Sequence, residues 1–282
     1  MRASVGTVLA DAAAALAAAA FEEPRRQARR LVAAALGLTA AEVFAHPERE
    51  MTAAEAVQLG DMLRRMLSRE PLSRIVGVRE FWGLDFLLSA DTLDPRPESE
   101  TVVEAVLARL PDRSMPYRFL DLGTGTGCLL LAVLSEYRRA YGIGIDRTPG
   151  AVRTARQNAV LTGLAARARF IAGHWAAAVG GAFDAIVANP PYIASFSIPA
   201  LMPEVREHDP LLALDGGADG LMAYRAIALD LPRLLPPGGL FATEIGAGQG
   251  EAVTAILHAA GLAIEAVVPD LAGIGRVVVA RR

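Results

Sequence analysis

From residue 98 onward, short apolar runs alternate with longer stretches in which apolar positions recur every three or four residues. The short runs are typical of buried strands in a parallel sheet, and the longer stretches are typical of helices. Strands are predicted at 118–122, 141–145, 168–172, 183–188, 240–244, 263–268 and 276–281. Helices are predicted at 98–110, 128–137, 149–162, 221–235 and 249–260. This order predicts an α/β fold with a seven-stranded, doubly wound sheet that contains one antiparallel strand.

The first part of the chain follows a different pattern, which predicts helices alone. They are expected at 5–21, 24–36, 40–44 and 52–69. Thr52 and Glu55 have the spacing of a capping box at the start of the last helix. The alternation that follows predicts a β-hairpin. We therefore expect a small helical domain at 1–75, a β-hairpin linker at 76–93 and an α/β domain at 94–282.

The most informative motif, Asn189-Pro190-Pro191-Tyr192, follows the predicted strand at 183–188. The Asn side chain therefore lies at the edge where open α/β sheets bind ligands. The two prolines lack backbone N–H groups, so the carbonyls here are presented without competing donors. An amino group could be held by the Asn oxygen and a Pro carbonyl, with its lone pair directed at a third reactant. Tyr192 would either form a wall against a planar amide or cap the loop backbone with its hydroxyl.

A glycine-rich loop of sequence Gly-Thr-Gly-Thr-Gly at 123–127 joins the strand at 118–122 to the helix at 128–137. Such a loop lets the backbone approach a ligand closely, although it can also merely permit tight packing. Asp146 ends the next strand, where an acid is placed to accept hydrogen bonds from ribose hydroxyls. Trp175, after the third strand, could lie against an adenine ring or pack on the sheet.

The chain contains no lysine, so its 28 cationic side chains are all arginine. A P-loop, in which a lysine reaches the phosphates, is thereby excluded. What remains is a nucleoside site without phosphate-binding residues, beside a rim that can hold an amino group. That combination fits S-adenosylmethionine, whose sulfonium methyl group needs only a nucleophile in line with the carbon–sulfur bond.

Further motifs point to one protein family. They are Arg-Glu-Pro-Leu at 69–72, Arg-Glu-Phe-Trp-Gly-Leu at 79–84, Pro-Arg-Pro-Glu-Ser-Glu at 95–100, Glu-Val-Arg at 204–206, Ala-Leu-Asp-Gly-Gly at 213–217, Asp-Gly-Leu at 219–221, Glu-Ile-Gly at 244–246 and Gly-Gln-Gly at 248–250. With the glycine loop, Asp146 and Asn-Pro-Pro-Tyr, they resemble the bacterial protein-(glutamine-N5) methyltransferases of the HemK/PrmC type, which modify class-I peptide chain release factors. The resemblance runs from about residue 25 to the C-terminus.

This resemblance implies a class I S-adenosylmethionine-dependent methyltransferase fold, with a helical N-terminal domain that recognises the substrate. It implies methyl transfer from S-adenosylmethionine to the side-chain amide nitrogen of the glutamine in a Gly-Gly-Gln motif. The residues expected to bind the cofactor are Gly123, Thr124, Gly125, Thr126, Gly127, Asp146, Trp175 and Asn189. Those expected to hold the substrate are Asn189, Pro190, Pro191 and Tyr192, of which Asn189, Pro190 and Tyr192 are the expected catalytic residues. His174 departs from the family, which often has a small polar acceptor there, and leaves a contact with adenine open.

Two other functions compete with this interpretation. Asn-Pro-Pro-Tyr alone also occurs in adenine-N6 methyltransferases, which would hold a flipped base of DNA or RNA in the same rim. They would need a basic groove or a target-recognition domain, and the sequence indicates neither. A non-catalytic scaffold with a degenerate pocket is the other alternative, but it would have no physical need for Asp146 or for the Asn-Pro-Pro-Tyr turn.

Two segments keep alternative interpretations. The irregular stretch at 193–217 could cover the substrate or form a long surface loop. Four clustered arginines on one early helix could form a solvated face, or a contact surface for an acidic protein or ribosomal RNA. They are Arg25, Arg26, Arg29 and Arg30.

Composition limits the remaining classes. A net charge of −3 argues against a free-standing nucleic-acid binder, because neutralising phosphates needs a basic face. The single cysteine, Cys128, precludes an intrachain disulfide and fits a reducing cytoplasm. The four histidines lack metal-ligand spacing, and no run of 18 apolar residues is free of charge, so neither a metal site nor a membrane span is expected. We expect a cytoplasmic enzyme with class-I release factors as partners and no nucleic-acid substrate, for which a monomer suffices.

Overall fold

The chain folds as two units, Met1–Val76 and Gly77–Arg282. The computed structural model describes residues 3–177 and 179–282. The first unit is built from helices, and the second contains the β-hairpin and the sheet. Within the described ranges, every helix is too short or too polar to cross a lipid bilayer.

The first unit contains α1 (Val5–Ala18), α2 (Pro24–Leu36), α3 (Ala40–Ala45), α4 (Ala53–Leu67) and α5 (Leu72–Val76), of which α5 was not predicted. The capping box before α4 is confirmed: Thr52 Oγ1 accepts from the Glu55 N–H at 3.2 Å, and the Glu55 carboxylate accepts from the Thr52 N–H at 2.8 Å. Apolar side chains such as Leu16, Leu31 and Met62 form the core of this unit. The four clustered arginines lie on the exposed face of α2, which is compatible with both interpretations given above.

The strands of the second unit are β1 (Val78–Phe81), β2 (Leu84–Leu87), β3 (Arg118–Leu122), β4 (Tyr141–Asp146), β5 (Ala168–Ala172), β6 (Ala185–Ala188), β7 (Leu240–Glu244), β8 (Ala263–Pro269) and β9 (Gly275–Arg281). Its helices are α6 (Glu100–Arg109), α7 (Cys128–Glu136), α8 (Pro149–Leu161), α9 (Pro203–Arg206), α10 (Leu211–Leu214), α11 (Met222–Ala228), α12 (Leu231–Leu234) and α13 (Gly250–Ala259), with 3₁₀ turns at Pro97–Ser99 and Ser195–Ala200.

Seven of these strands form one sheet in the order β5-β4-β3-β6-β7-β9-β8. β9 runs antiparallel to both of its neighbours, and the other pairings are parallel. This confirms the predicted doubly wound sheet with one antiparallel strand. β3 pairs with β4 on one side and β6 on the other, so the connections leaving β3 and β6 run to opposite sides of the sheet. The order therefore reverses at β3, and a crevice opens at the carboxyl ends of these two strands.

Alternate residues of the central strands β3, β6 and β7 face two separate apolar layers. Phe119 of β3 packs in a layer with side chains of α6, α7 and α8, whereas Leu120 and Leu122 pack in the layer formed with α11, α12 and α13. All four residues of β6 are buried. Because both faces of the sheet are covered, its central strands read as continuous apolar runs in the sequence.

Two predicted segments differ in the structure. The prediction of a single helix at 221–235 was wrong, because the structure has two helices there, α11 and α12. Pro232 explains the break: it has no N–H to donate to the carbonyl of Ala228, and its ring would clash there. The stretch at 193–217 contains one 3₁₀ turn, α9 and α10.

β4 carries glycine at two alternate positions because neighbouring side chains fill the space beside it. A Cβ added at Gly144 would lie 2.6 Å from both Phe170 Cδ1 and Thr124 Oγ1, and one at Gly142 would lie 2.4 Å from Leu130 Cδ1. Such distances are far below van der Waals contact. The side chains of Phe170, Thr124 and Leu130 can therefore lie against β4 only because positions 142 and 144 carry no Cβ.

Replacing Gly144 by alanine should therefore overpack this part of the core and lower the free energy of unfolding by about 1–3 kcal/mol. Urea denaturation followed by tryptophan fluorescence measures the effect, since both tryptophans, Trp82 and Trp175, belong to the second unit. Gly250→Ala is the matched control, because the nearest atom to its added Cβ is 3.6 Å away. The control should change the free energy of unfolding by less than about 1 kcal/mol. Equal stabilities for the two variants would contradict the packing argument.

Candidate active site

A cavity of about 350 Å³ opens in the second unit at the carboxyl ends of β3, β4 and β6. Its wall is formed by the glycine loop after β3, the residues after β4 and β5, Asn189 and Pro191 after β6, and parts of α10 and α11. The volume and the largely apolar lining are those of a small-molecule site. The reversal of strand order described above places the cavity where this fold binds ligands.

The structure brings most of the predicted site residues together. Those that line the cavity are Gly123, Gly125, Asp146, Trp175, Asn189 and Pro191. Among the described residues, five predicted site residues are not part of its wall: Thr124, Thr126, Gly127, Pro190 and Tyr192. His174, whose role was left open, does line the cavity.

Three of those five residues shape the glycine loop from behind. The Thr124 hydroxyl donates to Asp121 Oδ2 at 2.5 Å. Thr126 Oγ1 accepts from the Cys128 N–H at 3.4 Å at the start of α7. Gly127 has φ of 82°, and a Cβ there would lie 3.1 Å from the ring of Phe170. Both threonines are buried, so they hold the loop in place while alternate glycines face the cavity.

Asp146 connects this loop to the end of β4. Its Oδ2 accepts from the Gly125 N–H at 2.9 Å, and its Oδ1 accepts from the Thr148 N–H at 2.9 Å. Burial raises the pKa of Asp146, against the lowering effect of these two backbone hydrogen bonds. Each carboxylate oxygen keeps a further lone pair, so the same group that shapes the loop can also accept from a hydroxyl in the cavity.

Trp175 is held in a conformation that is uncommon for a bulky residue. Its φ is 46°, in the left-handed region, where strain is typical of functional sites. Its indole packs on the sheet layer that contains Leu120, and it also lines the cavity next to Gly123. The two interpretations offered for this residue are therefore not exclusive, because one side chain meets both the core and the cavity.

The carboxamide of Asn189 lies at the cavity wall with a defined partner. Its Nδ2 donates to Ser99 Oγ at 3.0 Å, and Ser99 Oγ donates to the buried carboxylate of Glu244. Tyr192 Oη donates to the other oxygen of Glu244 at 3.2 Å. Its hydroxyl thus pairs with a carboxylate and does not cap the loop backbone. That role falls to Gln249, whose Nε2 donates to the Tyr192 carbonyl at 2.9 Å.

Sequence reasoning assigned no role to Ser99, Glu244 or Gln249, although all three lie in motifs that carried the resemblance. Motif membership was the only available signal, because their contacts join segments far apart in the chain. The stretch at 193–217 also contributes: Leu211 and Leu212 line the cavity and are more than half exposed. Among the described residues, no cluster of three or more His, Cys, Asp or Glu side chains could hold a metal ion.

Comparison with known proteins agrees with this geometry. The sequence profile described as PrmC N-terminal domain matches residues 7–77, and that described as methyltransferase small domain matches residues 89–202. A release factor glutamine methyltransferase of Rhodospirillum rubrum is 50% identical, over 99% of this chain and 85% of that protein. One of Bradyrhizobium diazoefficiens is 47% identical, over 96% of this chain and 92% of that protein.

The chain belongs to the release factor glutamine methyltransferase family. The predicted resemblance is thereby confirmed. A methyltransferase of Pyrococcus furiosus with a solved structure shares the fold, with a TM-score of 0.54 and 15% identity, over 79% of this chain and 98% of that one. Membership of the release factor glutamine methyltransferases accounts for the small helical unit as well as for the sheet.

The buried Asp121, which accepts a hydrogen bond from the glycine loop, should make the stability of the protein depend on pH. Burial raises the pKa of Asp121 from 3.8 to about 7, although the Thr124 hydroxyl lowers it in part. As the pH rises from about 4 to about 7, the unfolded chain ionises while the folded chain retains its proton, so stability falls. Asp121→Asn removes this loss. The melting temperature of the variant minus that of the wild type should therefore be larger at pH 8 than at pH 5.

The matched control for this measurement is Asp112→Asn. Hydrogen bonds from Ser114 hold the pKa of Asp112 below its ordinary value, so this carboxylate is ionised at both pH values. Its difference in melting temperature should stay constant. Differential scanning calorimetry of the three proteins gives all the values, and a constant difference for Asp121→Asn would contradict the assignment.

Proposed function

We propose that this chain transfers the methyl group of S-adenosylmethionine to the side-chain amide nitrogen of the glutamine in the Gly-Gly-Gln motif of class-I peptide chain release factors. The observation that carries the proposal is one cavity walled both by the glycine loop with Asp146 and by Asn189 with Pro191. The first set suits a nucleoside and the second suits an amide. The near full-length relatives named as release factor glutamine methyltransferases support the same reaction.

The residues of the first set fit S-adenosylmethionine. Asp146 would accept hydrogen bonds from the ribose hydroxyls, and Trp175 would lie against the adenine. Gly123 and Gly125 leave the backbone open to the ligand, with no side chain in the way. When bound, this cofactor supplies a methyl group on a positively charged sulfur.

The second set, together with the carbonyl of the intervening Pro190, would grip the substrate amide. No described residue donates to Asn189 Oδ1 or to the Pro190 carbonyl, so both remain acceptors. An amide nitrogen is a poor nucleophile, and positive charge grows on it as the new bond forms. Acceptors on its two N–H groups stabilise that charge most in the transition state. The proton can leave after transfer, so no strong base is needed beforehand.

Alignment of the amide would be the other contribution of the protein. Holding nitrogen, methyl carbon and sulfur in line removes an orientational cost that reaches roughly 7–11 kcal/mol in model systems. We assign Asn189, Pro190 and Tyr192 to this task, with Tyr192 supporting the Asn-Pro-Pro-Tyr turn from outside the cavity wall. Its hydroxyl donates to Glu244, which holds the outer end of the ring in place.

We propose that the helical unit recognises the release factor, as the match to the PrmC N-terminal domain supports. The exposed Leu211 and Leu212 at the cavity wall, in the stretch at 193–217, would contact the substrate loop. We propose that the protein acts in the cytoplasm and as a monomer. A monomer suffices because one chain supplies every residue named above.

Asn189→Ala should lower turnover more than tenfold while changing the dissociation constant of S-adenosylmethionine much less, because the lost acceptor serves the amide. A methyl-transfer assay and isothermal titration measure the two quantities. Gln157→Ala is the control, since it removes an exposed carboxamide from α8 outside the cavity wall. If the Asn189 variant kept more than a tenth of wild-type turnover, the assigned role would be wrong.

The reaction itself is tested by incubating the wild-type protein with S-adenosylmethionine and a class-I release factor. Peptide mass spectrometry should show a gain of about 14 daltons on the glutamine of Gly-Gly-Gln, and none when that glutamine is replaced by alanine. A parallel incubation with DNA and RNA addresses the adenine-N6 alternative. Methylated adenine with an unmodified release factor would overturn the proposal, and a failure to bind S-adenosylmethionine would favour a scaffold.

A further inference from the structure

A buried carboxylate stands behind the substrate-binding amide and does not touch the cavity. Glu244 ends β7 and is 2% exposed, and Ser99 is 1% exposed. Ser99 lies between the two other groups, with Asn189 Nδ2 at 3.0 Å on one side and Glu244 on the other. Three segments of the second unit therefore meet through a single hydroxyl.

The direction of each hydrogen bond in this chain follows from the chemistry of its ends. An ionised carboxylate can only accept, so the single hydrogen of the Ser99 hydroxyl is directed at Glu244. Only lone pairs of Ser99 Oγ then remain for Asn189, and the amide must present Nδ2 to them. The other end of the amide, Oδ1, is consequently left for the cavity. A carboxamide without such a partner has two nearly equivalent orientations.

We infer that Ser99 and Glu244 are positioning residues, which fix the Asn189 carboxamide with its oxygen towards the substrate amide. The inference rests on the proposed function, because that function needs an acceptor at this place. If the carboxamide turned over, Nδ2 would face the substrate N–H group, and donor would meet donor. Ser99 and Glu244 thus act through Asn189 and contact neither substrate nor cofactor.

The arrangement also makes turnover sensitive to acid. The groups that face Glu244 are Ser99, Tyr192, Tyr224, Arg276, Glu98 and Cys128. Burial raises its pKa, although the hydrogen bonds from Ser99 and Tyr192 and the charge of Arg276 oppose the rise. Once protonated, Glu244 can donate to Ser99, whose own hydrogen is then free to bind Asn189 Oδ1. The orientation of the amide is lost, so turnover falls as the pH decreases, and it does so at a higher pH than for an ordinary glutamate.

A matched pair of variants tests the role of the hydroxyl. Ser99→Thr and Ser99→Val add the same bulk, and only the first retains a hydroxyl. We expect Ser99→Thr to keep kcat within about threefold of the wild type, and Ser99→Val to lose on the order of tenfold in kcat, as the loss of one aligned hydrogen bond predicts. The dissociation constant of S-adenosylmethionine should agree within about threefold between them. Equal kcat values for the two variants would overturn the inference.

A second variant keeps the question decidable if Ser99→Val fails to fold. Glu244→Gln cannot ionise, and its amide oxygen can still accept from Ser99. We expect a lower maximal turnover and no acid limb of the kind that the wild type shows. An unchanged acid limb would overturn the role of Glu244.

Measuring the wild-type protein in the same assay separates this inference from the proposed function. If the wild type does not methylate the release factor, the proposed function fails. If it does, and the threonine and valine variants are equally active, only the positioning role fails.

Discussion

The parallel pairing of β3 with β4 on one side and with β6 on the other is the constraint on which the site depends. It forces the two connections at the carboxyl edge to opposite sides of the sheet, so a crevice forms between them. The glycine loop leaves β3, and Asn189 follows β6, so the two walls of the cavity are neighbours in space. Both walls rest on strands that are buried on both faces, which gives the site a rigid support.

The same edge concentrates acids that are wholly or partly buried. Asp121, Asp146 and Glu244 end or lie within β3, β4 and β7, and burial raises the pKa of each of them. A buried carboxylate costs stability unless hydrogen bonds hold it. Here a hydroxyl or a backbone N–H meets each one: Thr124 for Asp121, Gly125 for Asp146, and Ser99 for Glu244. Such clustering is typical of a functional site, where stability is given up for a fixed arrangement of donors and acceptors.

Much of the fold could be predicted because its signals are local. The continuous apolar runs identified the central strands, since these are covered on both faces and their burial does not alternate. The helix expected at 221–235 failed at Pro232, where a local steric rule outweighed a favourable apolar pattern. For the site, proximity to the carboxyl edge was predicted for Gly123, Asp146 and Asn189. The inward burial of Thr124 and Thr126 was not, because the facing of a loop side chain depends on what packs behind it.

The amino-acid sequence by itself determined the succession of strands and helices along the chain, the glycine loop and the Asn-Pro-Pro-Tyr turn. It could do so because backbone preferences and hydrophobic periodicity act over a few neighbouring residues. Only the tertiary structure decided which side chains face the cavity and which way the Asn189 carboxamide points. Ser99 and Glu244 lie 145 positions apart, and their hydrogen bond exists only once β7 has taken its place in the sheet. Burial and hydrogen-bond direction arise from contacts between such distant segments, and no local pattern encodes them.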